Sequence, residues 1–139
     1  MTRAEIDAYL AEERTCRVAT SGPAGPHLTA LWFAWDGAAL WLNSVVKSQR
    51  WTDLARDPRA AVIIDGGREF TELCGVEIRG RLEPIGDIPR TDTPDPALAT
   101  PELLFARKYT GGDRMHHDGR HAWVRLTPDK ITSWDFRKM

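Results

Sequence analysis

Apolar and polar positions follow two periods along this chain, one of strands and one of short helices. At the start, Thr2-x-x-Glu5 has capping-box spacing and Ile6, Tyr9 and Leu10 follow at helical intervals, predicting a short amphipathic helix over one end of a core. Strand-like runs then occupy residues 15–20, 27–35 and 38–43, separated by a Gly/Pro stretch at 21–26 and by Asp36-Gly37. Asp-Gly between apolar runs predicts a tight hairpin, because a type I′ turn needs positive φ at both central positions. Leu31, Trp32, Phe33 and Trp35, then Leu40, Trp41 and Leu42, make these strands apolar on more than one face. One face is expected to pack inward and the other to be covered by a second subunit.

A helix is predicted over about residues 47–56, ending at Asp57-Pro58, followed by an apolar strand at 60–65 closed by Gly66-Gly67. Residues 74–82 alternate cleanly, with Val76, Ile78, Gly80 and Leu82 on one face and Glu77, Arg79 and Arg81 on the other, as a half-buried strand does. Gly75 and Gly80 are expected to mark bends. Residues 84–101 hold five of the nine prolines and read as a loop. They deliver Thr100-Pro101-Glu102, which predicts a helix to about Tyr109 with Thr100 as cap and Pro101 at its first position. Strands at 122–126 and 131–136, joined by a Thr127-Pro128-Asp129 turn, complete the chain as a hairpin. The sum is a mainly β (α+β) chain of about six to seven antiparallel strands with two to three short helices, closed or nearly closed into a barrel. A length of 139 residues suits one domain spanning residues 1–139.

Composition removes several function classes. A formal net charge of -1 and a pI near 6.4 argue against nonspecific nucleic-acid binding, which needs a basic surface. Cys16 and Cys74 are the only cysteines and lie in apolar, strand-like contexts, so buried reduced thiols are expected rather than a disulfide. With no apolar leader and no run of membrane-spanning length, a cytoplasmic chain without membrane contact is expected. No metal is expected, because His116-His117 lack both the i, i+4 helical spacing and the cysteine partners of a zinc site.

The candidate chemistry concentrates between Ser44 and Asp53. Ser44, Lys47, Ser48 and Arg50 come together where a strand ends and a helix begins, and a helix start offers unpaired N–H groups at the positive end of its dipole. Lys47 and Arg50 add full charges, the second as a fork able to grip two oxygens, so the segment reads as an anion site. The alternative is that Ser44 or Ser48 caps the helix while Lys47, Arg50 and Arg56 form its solvated face. Among the six tryptophans, Trp32 and Trp51 are the candidates for contact with a planar ligand and the rest for core or interface. No side chain is singled out as catalytic, although His27 and His121 are candidate proton donors.

Four features, in this order, resemble the pyridoxamine 5′-phosphate oxidase-like split β-barrel family, and within it the flavin- and deazaflavin-dependent oxidoreductases. They are the helix, strand and Gly/Pro turn before Pro26-His27-Leu28-Thr29; Ser48-Gln49-Arg50 running into Asp57-Pro58-Arg59-Ala60; the strand centred on Gly80; and the ending from Val124 to Phe136. The resemblance covers roughly residues 15–136. It implies a homodimer with a redox cofactor in a groove between subunits. By position, Lys47, Ser48, Gln49 and Arg50 would hold its phosphate, Asn43 and Ser44 would line the ribityl chain, and Thr29 to Trp32 would lie near the ring. Trp51 departs from the pattern by replacing a small residue. The ending Arg137-Lys138-Met139 does not supply the extra basic positions of the pyridoxamine oxidases. The resemblance therefore implies the deazaflavin coenzyme F420, with FMN as the alternative, and a reductase passing hydride to a small electron-poor organic substrate. An FMN-dependent oxidase or reductase and a non-catalytic barrel binding a cofactor or tetrapyrrole are the other readings.

Overall fold

The computed structural model describes residues 1–138. The capping box forms: Thr2 Oγ1 accepts the Glu5 N–H at 3.1 Å and the Glu5 carboxylate accepts the Thr2 N–H at 3.0 Å. They start helix α1 (Arg3–Glu12), which buries Ile6 and Leu10 against the core. Seven strands follow, β1 (Thr15–Gly22), β2 (Gly25–Trp32), β3 (Ala34–Trp35), β4 (Leu40–Val45), β5 (Arg59–Gly66), β6 (Cys74–Ile85) and β7 (His121–Asp135). Helix α2 (Gln49–Arg56) lies between β4 and β5, and α3 (Ala99–Tyr109) precedes β7.

Every pairing is antiparallel, in the order β2-β1-β5-β6-β7-β4-β3, and the sheet curls into a mainly β split barrel. Val18, Leu40, Leu42, Val62, Ile64, Ile78 and Leu126 fill its interior. Trp41 and Trp123 point to the opposite face of β4 and β7, where Phe105 and Leu98 cover them in a second core. Helix α3, rather than another subunit, therefore covers that face. The outer face of the edge strand β2 stays open, with Leu28 64% and Trp32 46% exposed.

The structure departs from the sequence pattern at several points, each for a local reason. The run expected at 27–35 breaks at Phe33 because β2 pairs with β1 whereas β3 pairs with β4. The Tyr109 hydroxyl takes up the backbone freed there, accepting the Phe33 N–H at 3.1 Å and lying 2.9 Å from the Phe33 carbonyl. Asp36-Gly37 does not form a type I′ turn, since only Gly37 has positive φ; Asp36 instead accepts the N–H groups of Ala38 and Ala39 at 2.8 and 2.7 Å. Strand β6 runs on to Ile85 through Pro84, which lies past the end of β5, where no ladder bond is lost. Helix α3 starts at Ala99 after a 3₁₀ turn capped by Asp95, so Thr100 is not its cap.

The closing hairpin is absent. Thr127, Pro128 and Asp129 lie inside one continuous strand, β7, whose register with β6 shifts beside Gly80 so that Asp129 has no partner. Proline cannot donate to a ladder and is tolerated at such an irregularity as readily as in a turn. The bend expected at Gly80 is this bulge.

Cys16 and Cys74 are buried and unpaired. Burial, which disfavours the thiolate, pushes the Cys16 thiol up from 9.0 to about 12. An acid raised on folding stabilises the fold below its unfolded pKa and loses that contribution as pH climbs to the folded value. Denaturation of Cys16→Ala is therefore expected to show a shallower fall in stability than the wild type between about pH 9 and 12; parallel slopes would contradict it.

Candidate functional site

The structure divides the nine residues expected at the site into three groups. Thr29, Ser44 and Arg50 meet inside the barrel wall. Helix α2 turns Arg50, Asp53 and Leu54 inward at i, i+3 and i+4, leaving Arg50 only 7% exposed. The Arg50 guanidinium donates from Nε and Nη2 to Ser44 Oγ at 3.2 and 3.0 Å, and from Nη1 to Thr29 Oγ1 at 2.6 Å. Burial pulls its pKa down, and among the described residues no carboxylate pairs with it. The solvated-face reading does not hold for Arg50.

Behind it, Asp53 is fully buried and accepts from Gln49 Nε2 at 2.8 Å and Thr20 Oγ1 at 2.9 Å. The Gln49 bond, then that of Thr20, lowers the Asp53 pKa, so the carboxylate stays ionised. Gln49 is thus held by its own helix. Ser48 is the helix cap, its Oγ accepting the Trp51 N–H at 3.2 Å. Lys47 is exposed immediately before that cap, and Trp51 packs against the barrel core instead of projecting as a stacking surface.

Trp32 and Asn43 form the third group, on the wall of a cavity of about 420 Å³ between β2, β4, the C-terminal part of α3 and the loop before β7. Its lining combines the aromatic rings of Trp32 and Phe105 with the polar side chains of Asn43, His116, Asp118 and His121. Trp32 is stacked on Tyr109, ring centroids 4.2 Å apart at 8°, and the guanidinium of Arg14 lies over both rings. The cavity adjoins the α2 start: Val45 pairs with His121, and the Val46 N–H donates to the Arg120 carbonyl at 3.0 Å.

A planar ring against Trp32 and an anionic group near Lys47 and the first turn of α2 suit this geometry. Phe105, Tyr109 and Asp118 were not singled out from the pattern. Phe105 and Tyr109 fall at i, i+4 on α3, which marks a helix face but not the strand it meets.

The family model for pyridoxamine 5′-phosphate oxidase matches residues 2–135. The chain belongs to the pyridoxamine 5′-phosphate oxidase family. A conserved hypothetical protein of Mycobacterium tuberculosis is 32% identical over 99% of this chain and 87% of its own, with a TM-score of 0.81. An F420 reductase is 22% identical over 91% of this chain and 94% of its own, with a TM-score of 0.65. A heme binding protein from Mycobacterium smegmatis is 18% identical over 98% of this chain and 59% of its own, with a TM-score of 0.69. The last two share the fold with this family member. No curated protein matches the chain. No group of three or more metal-ligating side chains occurs among the described residues, and no helix there is long and apolar enough to cross a membrane.

Proposed function

We propose that this family member is a reductase dependent on the deazaflavin coenzyme F420, with FMN as the alternative cofactor, passing hydride to a small electron-poor organic substrate. The observation that carries this reading is Arg50, a buried guanidinium that, among the described residues, hydrogen-bonds only to hydroxyls. A charge withdrawn from water without an opposite partner is costly, and a ligand phosphate at the start of α2 would supply one. Lys47 and the free N–H groups of the first turn would hold that phosphate, Asn43 and Ser44 would flank the chain leading from it, and Trp32 would border the ring. The reduced cofactor supplies the hydride. The residues of the cavity orient the substrate and exclude water from it.

The edge strand β2 argues for a homodimer. Pro26, Leu28, Ala30 and Trp32 form an outward apolar row beside the unpaired edge of the sheet, which a second copy would cover.

Purified protein titrated separately with coenzyme F420 and with FMN tests both parts, followed by tryptophan fluorescence and sedimentation. Quenching by coenzyme F420 and a species of twice 15.7 kDa are expected. Response to FMN alone selects the alternative cofactor, response to neither overturns the redox reading, and a single 15.7 kDa species overturns the dimer.

A further inference from the structure

A histidine–carboxylate pair lines the same cavity as Trp32 and Phe105. His121 Nδ1 lies 2.7 Å from Asp118 Oδ2, and Asp118 Oδ1 accepts the Arg120 N–H at 2.8 Å. The backbone on either side is tied down, with the Val46 N–H donating to the Arg120 carbonyl at 3.0 Å and the Arg90 N–H to the His121 carbonyl at 2.8 Å. The backbone carrying the ring is therefore held by its own strand, the Pro-rich segment and the start of α2, and the ring itself by Asp118. The hydrogen bond from His121, then that from the Arg120 N–H, holds the Asp118 carboxyl down at about 2, so it remains an acceptor at any working pH. An ionised carboxylate at Nδ1 places a hydrogen on that nitrogen and turns Nε2 into the exchanging one.

We propose that His121, positioned by Asp118, is the proton donor of this cavity. The inference rests on the redox reading given under the proposed function. An electron-poor C=C bond takes up hydride from the reduced deazaflavin or flavin, which is oxidised; the π bond breaks and one C–H bond forms. The anion left behind is protonated by the Nε2–H of the doubly protonated ring, and water returns that proton to the imidazole. Neither the hydride step nor the carboxylate needs another co-reactant. Asp118 is a positioning residue, acting only through His121.

Two arms test this. In the free protein, nitrogen-15 NMR with His121→Asn used to assign the ring should find the neutral imidazole protonated on Nδ1 in the wild type and mainly on Nε2 in Asp118→Ala. An Nε2–H ring in the wild type overturns the proposal. The second arm uses protein loaded with whichever cofactor binds, kept reduced, with 2-cyclohexen-1-one and menadione as acceptors. His121→Ala is expected to lower kcat and kcat/KM together by roughly a hundredfold or more, with cofactor affinity kept and part of the rate restored by added imidazole. Equal turnover by both proteins, no rescue by imidazole, or no wild-type turnover with cofactor bound overturns the proposal. Failure of both cofactors to bind overturns the redox reading itself, and the proton donor with it.

Discussion

Replacing Arg50 with methionine is expected to weaken cofactor binding by about 1–3 kcal/mol, the range for charge-assisted hydrogen bonds, and to leave the free protein folded. The two effects separate because the guanidinium is a buried charge whose partners are neutral hydroxyls. Methionine is flexible and fills much of the same volume, so no large void opens. Removing the charge relieves a desolvation cost, while Ser44 and Thr29 lose the donors they accept from; these changes oppose each other. Unfolding of the free variant is therefore expected to shift by less than about 1 kcal/mol in either direction. Arg50→Lys should retain part of the affinity, since the charge remains and the fork is lost. Calorimetric titration and denaturant melts on the same samples decide the matter. Unaltered affinity in Arg50→Met would make the residue an internal strut and leave the phosphate to Lys47 and the helix start.

A large loss of stability from a single methyl group is expected at Gly80. A Cβ built there would lie 2.0 Å from the Thr127 carbonyl oxygen and 2.9 Å from its carbon, both backbone atoms of the facing strand. No side-chain rotation relieves that contact, so β7 must move away or the bulge must re-register. Gly80→Ala is expected to cost about 3 kcal/mol or more, lowering the melting temperature by roughly 10 °C for a domain of this length. Gly111 is the control. Its φ of 75° strains any other residue, but nothing lies within 4 Å of an added Cβ, so Gly111→Ala should cost only about 1 kcal/mol. Equal losses at the two positions would show that the bulge yields and that Gly80 is not clamped.

Several features that depend only on neighbours in sequence were legible in the residues, though the Asp36-Gly37 turn type and the cap of α3 were not. The Thr2/Glu5 box, the start of α2 behind Ser48 and the alternation of β6 are all settled within one turn or one strand, by bonds and burial that recur at fixed spacing. The turn at 127–129 was misread because a proline flanked by Thr and Asp carries the same local chemistry in a turn and in a bulge. The partner that distinguishes them is Gly80, 48 residues upstream of Pro128 and across the ladder.

The candidate site follows the same division. A cation-rich helix start was visible as an anion site, because the dipole and the charges belong to one segment. Which way Arg50 turns was not, since Thr29 and Ser44 reach it from two strands and their distances depend on the curl of the sheet. The cavity bordered by Trp32, Asn43 and His121 likewise exists only because α3 and the loop after it fold back over β4 and β7.

The order of strands and helices, their amphipathic faces, the two reduced thiols and the family are written in the linear chain, since they rest on short-range periodicity and on motif order. The burial of Arg50, the single bent β7, the open row on β2 and the cavity that Asp118 and His121 line together with Trp32 come from the folded molecule alone. Apart from the Asp118–His121 bond itself, which spans three residues, they depend on contacts between segments far apart in sequence, whose orientation no local preference specifies.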